Sequence, residues 1–232
     1  MKADGYRWWI ARLQRQLALC DAVRIDHFRG FVDYWEIEAD QKDARQGRWQ
    51  AGPGMALFDA LANALGDLPI IAEDLGIITD EVRALRAQTG FPGMRVLQFA
   101  FDGDARHPFL PHNYEANTVV YCGTHDNDTV QGWWTSCSPV ERQFADRYLA
   151  GQGSDIHWRF LRTALFSVAN WSLCQFQDVL GLGREHRMNV PGTTGCWTWR
   201  FSWDWVGPQH AQQLRQLSAL AGRLDDMKTV RA

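Results

Sequence analysis

The chain has 232 residues, 46% hydrophobic and 22% charged, with a formal net charge of −3. This is the make-up of a globular protein with a sizeable core, one large domain or two small ones. It excludes the electrostatic footprint of a nucleic-acid or anionic-membrane binder, and no apolar run approaches the ~20 residues of a membrane span.

Taken in chain order, residues 1–17 lack the continuous apolar core and small-residue cleavage site of a signal peptide, so a cytoplasmic location is expected. Residues 6–19 read as an amphipathic helix, with Trp9, Leu13, Gln16 and Leu17 at helical spacing. Residues 20–28 read as a strand and 38–54 as a long charged loop. A helix over 55–66 follows, with Phe58, Leu61, Ala62 and Leu65 on one face and Gly66 as its stop. Residues 68–76 are the next strand. Thr79 then caps a helix over 80–90 whose first turn carries Asp80 and Glu81, as the helix dipole favours. A third strand is expected over 94–101 and a fourth over 117–127. Helices over 140–151 and 155–170, a fifth strand with its exit over 171–181, and a closing helix over 210–224 complete the chain. Strands alternating with helices predict an α/β fold with parallel strands, and their apolar runs suit burial on both faces. Five cysteines, an odd count without a C-x-x-C pair, read as small buried thiols in a reducing compartment, not a disulfide frame or a zinc site.

Polar residues collect where these strands end: Arg24 and Asp26, then Glu73 and Asp74, then His125, Asp126, Asn127 and Asp128. In parallel α/β folds that edge is where ligands bind. Side chains alternate along a strand, so Arg24 and Asp26 share a face, and a guanidinium beside a carboxyl favours its ionised form, as a nucleophile needs. The same pair could equally be a structural salt bridge. Glu73 follows the apolar run Pro69–Ala72; apolar surroundings raise a carboxyl pKa and suit a general acid, although a solvated loop acid is the plainer reading. The run Gly123–Thr129 could be a metal site, but adjacent strand residues face opposite ways and no partner set stands nearby; a hydrogen-bonding edge for sugar hydroxyls is the alternative. Carboxylates at three strand ends suit glycoside chemistry, in which one acts as nucleophile and one as acid/base. The 12 tryptophans agree with this weakly, because flat rings match the C–H faces of sugars.

The stretches VRIDHFRGF, IAEDLGIIT, GTHDNDT, QDVLGLG and RMNVPGT, with GYRWWIARL at the start, resemble the 4-α-glucanotransferases of the amylomaltase type, glycoside hydrolase family 77 of the α-amylase clan. The resemblance implies the C-terminal portion, about strands 4 to 8, of a (β/α)8 TIM barrel. It makes Asp26 the nucleophile, Glu73 the acid/base and Asp126 the stabiliser of the transition state. Arg24, His125, Asn127 and Asn189 become substrate-binding residues, while His27, opposite in parity to Asp26, is as well suited to a structural role. Maltooligosaccharides or α-1,4-glucans are the implied partners, without nucleic acid, membrane, metal or cofactor.

Trp35, Trp133 and Trp134 are candidate acceptor platforms, while Trp197, Trp199 and the tryptophans of 199–205 read as packing. The family's chains are much longer than this one. A fragment is therefore expected, with unpaired sheet edges and with the N-terminal half of the barrel as its partner. A non-catalytic glucan-binding remnant and an α-glucan hydrolase of the same clan are the alternative readings.

Overall fold

Local sequence accounts for most of the elements in the computed structural model, which describes residues 1–149 and 155–224. Helix α1 (Arg7–Leu17) buries Leu13. Strand β1 (Val23–Ile25) is followed by a 3-10 turn over Phe28–Phe31. Strands β2 (Asp33–Glu36) and β3 (Arg48–Ala51) form an antiparallel hairpin in which Trp35 faces Trp49. Helix α2 (Met55–Leu65) buries Leu57, Phe58 and Leu61 and stops at Gly66, whose φ of 78° favours glycine. Strand β4 (Ile70–Ala72) is wholly buried and pairs parallel with β1, Val23 opposite Ile70 and Ile25 opposite Ala72. Helix α3 (Asp80–Thr89) begins after Thr79, with both acids in its first turn, and leads to β5 (Gly93–Val96).

Strand β6 (Thr118–Tyr121) is followed by helices α4 (Val130–Ser136), α5 (Pro139–Tyr148) and α6 (Ile156–Leu165). Ser138 and Glu141 close a reciprocal capping box at the start of α5. Strand β7 (Trp171–Leu173) leads to the one-turn α7 (Phe176–Val179), and α8 (Pro208–Leu220) follows. The sheet order is β5–β6–β7, and β6 and β7 run parallel.

The chain divides into two compact units, Met1–Met94 and Arg95–Ala232. The core of the first gathers Phe28, Phe31, Phe58 and Phe91 with Leu57, Leu61, Ile70 and Val82. That of the second gathers Phe101, Phe160, Leu110, Val120, Leu149 and Leu161.

The α/β reading with parallel pairs holds, with five corrections. The charged stretch 38–54 contains β3, paired by its backbone to β2. The third strand ends at Val96 in a 3-10 turn over Leu97–Phe99, and the fourth, expected to 127, ends at Tyr121. Helix α4 stands where no helix is expected from the sequence, capped by the Thr129 hydroxyl, which accepts the Gly132 N–H at 3.0 Å. Of the five thiols, Cys122 is buried, while Cys20 and Cys174 are exposed. Trp197 and Trp203 are 59% and 75% exposed, so neither is core packing. Residues 150 and 151, the end of the helix expected over 140–151, lie outside the described residues. Among the described residues no helix is long and apolar enough to cross a membrane.

Candidate active site

In the first unit the site grows from β1 and β4. Their register, extended one residue past Ile25 and Ala72, sets Asp26 beside Glu73 at the C-terminal ends of two parallel neighbours. There the ladder ends: Glu73 N–H still donates to the Ile25 carbonyl, but the Glu73 carbonyl accepts Phe28 N–H, one residue beyond the regular partner, each at 3.0 Å. Arg24 Nη1 lies 2.9 Å from Asp26 Oδ1, and its Nε reaches Met94 Sδ at 3.2 Å. The Asp26 side chain is 77% exposed, so this carboxylate stands open beside its guanidinium partner.

Glu73 is half-buried, and apolar residues are not its whole surroundings. One oxygen accepts His27 N–H at 2.7 Å and the other Leu75 N–H at 2.9 Å. To present its N–H this way His27 adopts φ 51°, a left-handed conformation uncommon outside glycine. A structural role for His27 thus comes from its backbone. Asp74, next in sequence, is buried instead: it accepts Met94 N–H at 2.7 Å and lies 3.3 Å from Arg86 Nε. It is a fixture of the frame.

The second unit assembles His125, Asp126, Asn127 and Asn189 at the end of β6. Asn189 Nδ2 donates to Asp126 Oδ1 at 2.5 Å, and His125 Nε2 lies 3.4 Å from the same oxygen. Arg187 Nη2 donates to the Asp126 carbonyl at 2.9 Å. Asn127 is committed inward, its Oδ1 accepting both the N–H and the hydroxyl of Thr124 at 2.8 Å. Asp128 is paired to Arg184 at 2.6 Å. An open cleft of about 470 Å³ is lined by Asp126, Asn127, Phe99, Trp133 and Arg187, among others.

The sequence expectation missed Trp197, whose ring centroid lies 5.3 Å from that of His125. Its φ of 66° marks the turn that swings it there. The same loop is closed by Cys196, whose sulfur accepts Val190 N–H and contacts the Thr193 hydroxyl, both at 3.3 Å. The Thr193 hydroxyl, with that amide, holds the thiol below its ordinary pKa. Of the other candidate platforms, Trp133 and Trp134 pack partly on the core and Trp35 lies on the hairpin. Among the described residues no group of three or more His, Cys, Asp or Glu could hold a metal ion.

Fold and site define a class: an α/β protein whose acidic groups, with arginine and histidine beside them, gather past the ends of parallel strands. The chain belongs to glycoside hydrolase family 77, whose model, described as 4-alpha-glucanotransferase, matches residues 1–205. It is 48% identical to the chloroplastic/amyloplastic 4-alpha-glucanotransferase of Arabidopsis thaliana, over 97% of this chain and 40% of that one. It is 46% identical to the 4-alpha-glucanotransferase of Thermus thermophilus, over 97% of this chain and 47% of that one. An amylomaltase from Streptococcus agalactiae, solved in complex with acarbose, superposes with a TM-score of 0.93 at 38% identity, covering 97% of this chain and 46% of its own. The chain therefore spans less than half the length of these relatives.

Proposed function

We propose that this chain carries the catalytic carboxylates of a 4-α-glucanotransferase, within about strands 4 to 8 of a (β/α)8 barrel. The observation that carries the reading is the β1–β4 register, which sets Asp26 beside Glu73 with Arg24 paired to Asp26. Adjacent strands lie ~4.8 Å apart, so the two side chains start from neighbouring strand ends, as the paired carboxyls of a retaining enzyme require. Asp26 attacks the anomeric carbon of an α-1,4-glucan while Glu73 protonates the departing glycosidic oxygen. The C–O bond to the leaving chain breaks as the glycosyl–Asp26 ester forms. Glu73, now a carboxylate, takes the proton from the 4-hydroxyl of an incoming glucan, whose oxygen displaces Asp26, and two inversions return the original configuration. In the second unit Asp126, with His125 beside it, serves as a carboxylate for sugar hydroxyls. Trp133 and Trp197 offer ring faces to flanking sugars.

The identity to relatives named for this transfer supports the reading over a hydrolase. The remaining length of those relatives is the proposed partner, completing the barrel, and a cytoplasmic location goes with a bacterial host. The test is incubation with maltotriose, for the chain alone and with the complementary segment of a relative. Glucose with a ladder of longer maltooligosaccharides supports transfer; glucose and maltose without longer chains support the hydrolase. No product in either mixture overturns the reading.

A further inference from the structure

Asp126 sits on the loop Thr124–Thr129, and that loop is held by side chains from elsewhere in its unit. Gln98 Nε2 donates to the Asp128 carbonyl at 2.8 Å, and Gln175 Nε2 donates to the Thr124 carbonyl at 2.6 Å. A Cβ on Gly123 would come within 2.7 Å of Gln98 Nε2, so glycine there keeps room for the first tie. The third tie differs from these two. Asp178, 1% exposed on α7, accepts Val130 N–H through Oδ1 at 2.7 Å, while its Oδ2 is buried with no hydrogen-bond partner. A buried carboxyl with one empty oxygen is costly to keep, and its single bond lands where the Asp126 loop turns into α4.

We propose that Asp178 is a positioning residue for Asp126, anchoring the hinge between the Asp126 loop and α4 through Val130 N–H, with its second oxygen free to carry a proton. This inference rests on the reading of Asp126 as a functional carboxylate. The anchor takes two states. As a carboxylate, Asp178 makes a charge-assisted bond to the hinge; protonated, the bond weakens to a neutral one. The groups facing Asp178 are the Asp128 carboxylate, itself paired to Arg184, and the thiols of Cys122 and Cys174. Burial, with Asp128 adding repulsion, lifts the Asp178 pKa to about 7, so both states are populated near neutrality.

The test follows backbone amides and needs no turnover, so its outcome is separate from that of the transfer assay. In the ¹⁵N-labelled chain, Asp178→Ala should speed hydrogen exchange over 124–132 by about tenfold or more, and Asp178→Asn, which keeps the acceptor, should restore most of the protection. Amides of β6 should not change. Wild-type Val130 N–H should shift with an inflection near pH 7, and Asp178→Asn should abolish it. Unchanged exchange in Asp178→Ala, or a Val130 inflection that survives in Asp178→Asn, would overturn the proposal. If Asp178→Ala does not fold, the pH comparison between wild type and Asp178→Asn decides alone.

Discussion

At the scale of the residue, the exposed carboxylate Asp26 is the side chain on which the proposed chemistry turns. Asp26→Asn keeps the size and a partner for Arg24 but is a poor nucleophile. It should lower transfer from maltotriose by more than about 10³-fold, with the far-UV spectrum and glucan retention on an affinity gel unchanged. A variant that still builds the product ladder would remove Asp26 from that role. Asn189 is a different case, since it acts on another residue. Its amide donates to Asp126 Oδ1, and a charge-assisted bond of this kind is worth ~1.5–3 kcal/mol. Asn189→Ala should lower kcat by about tenfold to a hundredfold, and Asn189→Asp should do at least as much harm by setting a second carboxylate against Asp126.

At the scale of the element, much of the frame was legible because strand ends change polarity abruptly. The run Pro69–Ala72 stops at two acids, Glu73 and Asp74, and Val23–Ile25 stops at Asp26, so the apolar pattern itself marks the edge of the sheet. The hairpin was not legible. Strand β3 contributes arginine, tryptophan, glutamine and alanine, an alternation only four residues long inside a charged stretch, and is held by backbone pairing and by Trp49 against Trp35. Nor was Trp197 beside His125: the two are far apart in sequence, and nothing local distinguishes this ring from its neighbours. Helix α4 hid for a related reason, because its glycine weakens the helical pattern.

That glycine has a cost to remove. Alanine gains roughly 1 kcal/mol of helix propensity over glycine, yet a Cβ on Gly132 would meet Asp128 Oδ1 at 2.1 Å. The Asp128 side chain is 11% exposed and tied to Arg184, so it has little room to yield. The clash should win, and Gly132→Ala should lose about 1–3 kcal/mol in urea unfolding. A neutral or stabilised variant would show that Asp128 moves freely.

At the scale of the whole molecule, each unit carries its own core, and each core runs directly into site residues. Phe28, 0% exposed, lies two positions beyond Asp26 and stacks on Phe58 at 5.6 Å. Val130, equally buried, donates its N–H to Asp178. Stability and site geometry are therefore linked, and the link has a sign. The Asp178 pKa is about 7 when folded, raised first by burial, against ~3.9 for an unfolded aspartate. Between those values the folded chain holds a proton that the unfolded chain has released. Stability from this group is thus greatest at low pH and falls as pH rises toward 7, opposite to an aspartate stabilised by a salt bridge. Over pH 5 to 7 the loss amounts to about 2–3 kcal/mol. Contributions of the other ionisable groups are common to wild type and Asp178→Asn and largely cancel in the difference between the two. That difference, from urea unfolding at several pH values, should move against the wild type by this amount between pH 5 and 7 and level off above about pH 8. A difference that stays flat from pH 5 to 8 would mean that Asp178 is already ionised in the folded chain, and that its buried second oxygen carries no proton there.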